Sequence, residues 1–245
     1  MRYPWNSKSI KWYMEAEKTT SFYKRIKNMV GPCLDGVDSV LDVGCGPGSL
    51  TMELVGSYQK VEAIDISVPA VSALRERVEG LGFTNIGLRS LSFEDLPYRY
   101  EYDAVFLCYV MGLVREALME KILRHSRRYV FLVIPSEDIK NDFNIKSLAQ
   151  RLDADDSELK QPCYKEIVPV LDRLGLSYSV HIFESEFGQP FYDMEEAADF
   201  FRHYFPIFAE KEQELSQWLS ESLEYVSGGY YLPNTRKSVL ITIEK

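Results

Sequence analysis

Apolar and polar positions alternate along this chain with two different periods. Between Ile10 and Val30 the repeat is helical, with Phe22, Ile26, Met29 and Val30 on one stripe and lysines and arginines between them, and Gly31-Pro32 ends it. Val40, Leu41 and Val43 then make a short run of buried-strand type, followed by a helical pattern at Leu50, Leu54 and Val55. A second strand is predicted over Val61–Ile66, with a helix after it on Val71, Leu74, Val78 and Leu81 that Ser67 caps and Gly80/Gly82 close. A third strand follows over Ile86–Leu91 and a fourth over Tyr102–Leu107. Arg115–Ser126 is again helical, and Tyr129–Ile134 is an uninterrupted apolar run that suits a buried fifth strand. Strand and helix patterns that alternate this way predict an α/β fold, a doubly wound and mostly parallel sheet with helices on both faces.

The remainder is less regular. Pro135–Gln161 is polar and acid-rich, and is expected to give a helix and loop near the mouth of any site. Pro162 opens a helix on Ile167, Val170, Leu171 and Leu174 that stops at Gly175. Tyr178–Phe187 alternates as a sixth strand, and Ser238–Glu244 as a seventh. Between these last two lie helices near Met194–Tyr204 and Glu210–Val226, so a helical insert is predicted over about 188–237, ended by Gly228-Gly229. Long inserts in compact domains serve as lids or binding segments, and this one is expected to form a substrate-pocket wall or a homodimer surface. Residues 1–245 read as a single domain carrying that insert and an N-terminal helical cap over about 5–32.

Composition narrows the function. The net charge of -9 argues against a nucleic-acid partner, whose binding rests on basic surface. Cys33, Cys45, Cys108 and Cys163 are scattered without a C-x-x-C pair, and His125, His181 and His203 show no ligand spacing, so no metal site is expected. The longest apolar run, Ala104–Val114, is too short for a bilayer, and no signal-peptide pattern is visible; a cytoplasmic, reduced protein is expected.

The candidate chemistry sits at Ser39–Leu50, S-V-L-D-V-G-C-G-P-G-S-L. A strand that ends in Gly44, Gly46 and Gly48 and then enters a helix lets the backbone approach a ligand closely and offer its N–H groups. The dinucleotide pattern G-x-G-x-x-G fails in both registers, with Ser49 or Thr51 in the third place, and no lysine is present for a P-loop. Asp42, ahead of the glycines, would repel a pyrophosphate and favour a cationic ligand. A glycine-rich turn with no ligand is the plainer alternative.

D-V-G-C-G-P-G resembles the first motif of class I (Rossmann-like) S-adenosylmethionine (SAM)-dependent methyltransferases. The resemblance implies an antiparallel last strand and cofactor contacts from Asp42, Gly44, Cys45, Gly46 and Gly48. Asp65, at the end of the second strand, would accept from both ribose hydroxyls, and Ile66 would pack on adenine. Ser92-Phe93-Glu94-Asp95-Leu96-Pro97 resembles the family's adenine-gripping segment, with Ser92 in place of the usual Asp and the Phe93 N–H serving the ring. Cys108, Tyr109 and Met111 would flank the methyl group and begin the substrate pocket. The family's N-terminal segment often covers the cofactor, which would bring Tyr13 to the sulfonium and Trp12 to the pocket wall, with Trp5 nearby. The function implied is methyl transfer by in-line displacement to a small-molecule acceptor. A non-catalytic SAM sensor or partner-binding domain is the alternative. No catalytic base is assigned, although His181 and His203 lie where one would be sought; Tyr109 and Tyr164 are placed to orient substrate.

Overall fold

A computed structural model describes residues 5–98, 101–140, 142–208 and 210–245. Its centre is a seven-stranded sheet of β1 (Ser39–Val43), β2 (Lys60–Asp65), β3 (Ile86–Ser90), β4 (Tyr102–Cys108), β5 (Ser126–Pro135), β6 (Tyr178–Glu186) and β10 (Thr235–Glu244), in the order β3-β2-β1-β4-β5-β10-β6. The first five strands are parallel, and β10 runs antiparallel to both β5 and β6. Strand order reverses between β1 and β4, and the carboxyl ends of those two strands are where doubly wound sheets hold their ligands. Asp42 lies level with Ala63 on one side and Phe106 on the other, which brings the ends of three strands to one rim.

The two faces are covered differently. On one, α2 (Phe22–Val30), α3 (Ser49–Val55) and α4 (Val68–Gly80) bury Val40, Val61, Ala63 and Phe106. On the other, α5 (Glu116–His125) and α7 (Tyr164–Arg173) bury Leu41, Val43, Ile64 and Val105. Between β3 and β4 a 3-10 turn, Phe93–Asp95, replaces a helix.

The predicted N-terminal helix is two helices. α1 (Ser7–Thr19) starts at an Asn6 capping box and stops where Thr20 turns extended; the Thr20 hydroxyl then accepts from the Phe22 N–H at 3.1 Å and so starts α2. Hydroxyl side chains that compete with the helical ladder explain the break at Thr19-Thr20-Ser21.

The insert is more than helical. It holds α8 (Met194–Tyr204) and α9 (Glu212–Ser222), and also a small antiparallel sheet of β7 (Gln189–Phe191), β9 (Gly229–Leu232) and β8 (Glu224–Val226). With α1 and α6 (Ile145–Arg151) it closes over a separate core that includes Trp12, Phe143, Leu148, Phe201, Phe208 and Trp218. Three distant stretches therefore build one cover over the rim. Burying each of its large side chains contributes about 1.5–3 kcal/mol toward that cover. Among the described residues, no helix is long and apolar enough to cross a membrane.

Candidate functional site

The glycine bend is a space-making device. Gly44, Gly46 and Gly48 have φ of +73°, +55° and +92°, and a Cβ on each would meet Val110 at 2.2 Å, Trp5 at 2.9 Å and Leu74 at 2.1 Å. Its N–H groups are already used within the protein. Those of Gly44 and Cys45 donate to the Ile64 carbonyl at 2.8 and 3.1 Å, that of Gly46 to Asp65 Oδ2 at 2.9 Å, and that of Gly48 to the Cys45 carbonyl at 3.0 Å. Pro47 has none. The expectation that these N–H groups face a ligand is thus corrected: hydrogen bonds within the bend and to β2 consume them. A phosphate would find no donor along 44–48.

Two acidic side chains stand beside the bend in place of those donors. Asp42 is 1% exposed and accepts from Thr51 Oγ1 at 2.6 Å. Burial raises its pKa to about 7, against the Thr51 hydrogen bond, with Asp65 adding to the rise. Asp65, also buried, accepts from Gly46 N and, at 2.8 Å, from Ser67 N, and each carboxylate oxygen retains a further lone pair. Beyond it Ile66 is 50% exposed at the strand end, an apolar side chain open to a flat ligand. Ser92 accepts from the Glu94 N–H at 3.3 Å, and the Phe93 ring is buried against His125, so Phe93 presents a ligand only its main chain. Cys45 turns its thiol into the core beside Leu74 and Val78, and burial pushes that thiol's pKa upward.

At the end of β4, Cys108 is buried enough to raise its pKa, and Tyr109 takes φ +58°, a conformation rare for a bulky residue. Tyr109 is held there by its N–H on the Val133 carbonyl at 2.8 Å and by its hydroxyl with Ser238 Oγ at 2.7 Å. Met111 packs against the core on the opposite face of the sheet, so the expected pocket of Tyr109, Met111 and Trp12 is not assembled on one side. Trp12 is 2% exposed and lies against Phe200 and His203, with its Nε1–H donating to Glu196 Oε1 at 3.1 Å. It is a strut between α1 and the insert, because α1 turns that face to α8 rather than to the rim. His203 belongs to the same junction and His181 faces outward on edge strand β6, so neither candidate base reaches the bend.

Tyr13 does reach the rim. Its ring meets Trp5 edge-on at 5.1 Å, its hydroxyl bonds to that of Tyr23, and burial raises its pKa. Trp5 in turn covers Gly46. The cap is fastened here by residues that the sequence did not single out. Arg77 on α4 grips Glu17 of α1 with both terminal nitrogens, at 3.0 and 2.6 Å, and reaches the Pro47 carbonyl at 2.9 Å, while Ser49 Oγ donates to Glu17 at 2.6 Å. Charge-assisted bonds of this kind contribute about 1.5–3 kcal/mol when half-buried. Glu17→Ala should therefore free α1 without unfolding the sheet. Amide hydrogen exchange along Ser7–Thr19 is expected to accelerate about tenfold, with β1 and β4 unchanged; equal protection in both proteins would show that the clasp does not hold the cap.

Residues 40–130 match the family model of the methyltransferase domain. This stretch is similar to a methyltransferase domain. Over most of its length the chain shares the fold of a Bacillus halodurans protein whose structure was described as that of a methyltransferase, with TM-score 0.61, 18% identity and coverage of 92% of this chain and 99% of that one. It also shares the fold of magnesium protoporphyrin IX methyltransferase from Synechocystis, crystallised with bound S-adenosylhomocysteine, with TM-score 0.55, 15% identity and coverage of 100% and 90%. In sequence, the chain is 30% identical to the mitochondrial ribosomal RNA small subunit methyltransferase of Arabidopsis thaliana over 146 residues, 54% of this chain and 37% of that protein. A methyltransferase named ungE' from Aspergillus campestris is 33% identical over 88 residues, 32% of this chain and 26% of its own length. The match thus spans about a third of these curated relatives, and it centres on the methyltransferase domain.

Proposed function

We propose that this chain binds SAM at the glycine bend and transfers its methyl group to a small-molecule acceptor in the cytoplasm. One observation carries the reading: the N–H groups of the bend are used within the protein, and the acidic side chains of Asp42 and Asp65 stand where a phosphate-binding turn would present donors. That arrangement suits a ligand bearing an ammonium and a sulfonium, and it disfavours NAD.

The residues present fit that ligand. Gly44, Gly46 and Gly48 would cradle its amino-acid end, above Asp42 and Cys45. Asp65 has lone pairs for two hydroxyls, Ile66 an apolar face for adenine, and Ser92 and the Phe93 main chain polar atoms for its edge. When bound, SAM supplies a carbon already activated for displacement. The protein's share is then positioning and exclusion of water. Cys108 and Tyr109 would bound the reacting carbon, with Tyr109 fixed by Ser238, and Tyr13, Trp5 and the cap would close the site from above. The net charge of -9 supports a small acceptor over nucleic acid, and the insert would form the outer wall or a homodimer surface.

Calorimetry tests the cofactor. SAM and S-adenosylhomocysteine should bind and NAD should not; binding of NAD alone would overturn the assignment. Asp65→Ala should weaken S-adenosylhomocysteine by about 1–3 kcal/mol, since it removes the acceptor of the ribose hydroxyls. An unchanged affinity would take Asp65 out of the site. Turnover is then read as S-adenosylhomocysteine released during a screen of small-molecule acceptors.

A further inference from the structure

Arg236, two residues before Ser238 on β10, brings a guanidinium to the same rim as Tyr109. Its side chain is 19% exposed. The guanidinium carbon lies 3.8 Å from the centre of the Phe187 ring, 5.5 Å from that of Tyr109 and 6.0 Å from that of Phe22. Its Nε donates to Asp142 Oδ1 at 3.1 Å. The positive charge is felt at the end of β4, where it opposes the burial that raises the pKa of Cys108, Tyr109 and Tyr13.

A guanidinium lying on a ring face directs its donors sideways, in the plane where a carboxylate is gripped. Phe22 and Phe187 are buried beneath it, and the half-buried Tyr109 ring is the one of the three that would pack on a flat apolar body. A protonated amine would be repelled at the same place. Asp142 comes from a short 3-10 turn, Asp142–Asn144, in which Phe143 and Asn144 have φ of +57° and +58°. It therefore belongs to the cover rather than to the sheet.

We propose that Arg236 selects an acceptor carrying a carboxylate on an aromatic body, and that Asp142 is the resident counter-ion which this carboxylate replaces. The inference rests on the reading that the end of β4 flanks the transferred methyl group, and it names the chemical class that site takes.

The test uses the full chain saturated with S-adenosylhomocysteine, with benzoate as probe and benzamide as its neutral isostere, followed by calorimetry or ligand-observed NMR. Benzoate should bind at least tenfold tighter than benzamide. Arg236→Met should abolish that preference, Arg236→Lys should keep part of it, and Asp142→Asn should raise benzoate affinity several-fold by removing the competing carboxylate. A purely structural Arg236–Asp142 pair gives no such gain. Equal binding of the two probes, or benzoate affinity unmoved by Arg236→Met in a protein of unchanged melting temperature, overturns the proposal. Failure of S-adenosylhomocysteine to saturate the protein, read in a separate titration, overturns the cofactor reading instead and the acceptor site with it.

Discussion

Gly48→Ala is expected to destabilise the protein by about 3 kcal/mol in urea unfolding. Two costs add. The residue sits at φ +92°, where a side chain costs about 1–2 kcal/mol, and its Cβ would lie 2.1 Å from Leu74 Cδ1 and 2.9 Å from Leu74 Cγ. Leu74 cannot withdraw, because it is fully buried on α4 between β2 and its neighbours, and overfilling such a site costs about 1–3 kcal/mol more. Gly80→Ala, on the same helix, is the control. A Cβ there meets nothing within 4 Å, so its stability should stay within about 0.5 kcal/mol of the parent. Equal midpoints for the two variants would show that the bend does not need its glycine.

The second large effect is a pH dependence of unusual sign. Asp42 keeps its proton in the folded protein up to about pH 7, whereas an unfolded Asp releases it near 3.8. The folded state thus binds the extra proton between those values, and the stability that this proton contributes is lost as pH rises through the window. Asp42→Asn leaves an acceptor for Thr51 and removes the titration. From pH 5 to pH 8 the parent should lose about 3 kcal/mol relative to the variant, and above about pH 7.5 the difference should level off. Parallel melting profiles would mean that Asp42 ionises in the ordinary range. Because the ionised form is the one that attracts a cation, affinity for SAM should climb through pH 7 in the parent and stay flat in the variant.

Much of the sheet was legible. β1, β2, β4 and β5 are apolar runs buried on both faces, and such runs stand out without long-range information. The glycine spacing placed the bend, and Asp65 and Ile66 stand at the strand end where they were expected. What escaped was set by tertiary contact. Gln189–Phe191, Glu224–Val226 and Gly229–Leu232 are strands of three or four residues, too short to show a period, and β8 is exposed throughout. The predicted helix over 210–226 therefore ran through β8, whereas α9 stops at Ser222. Glu17 and Arg77 lie sixty residues apart on separate helices, and neither belongs to a local motif. Trp12 was misplaced for a related reason: an aromatic beside an apolar stripe reads the same whether it faces a ligand or the helix opposite. The use of the bend's own N–H groups is invisible in sequence, since it depends on how closely β2 approaches β1.

The cover's core joins Trp12, near one end of the chain, to Phe143 and Leu148 in the middle and Trp218 and Leu219 far beyond. Contacts this distant along the chain form late in folding, because the loops between them must close first. Strands β1–β5 and the glycine bend, all within Ser39–Pro135, should consequently be in place while the roof is still open. A nascent protein would then meet its nucleoside most easily before maturation finishes, and refolding with S-adenosylhomocysteine present should load faster than soaking the finished protein.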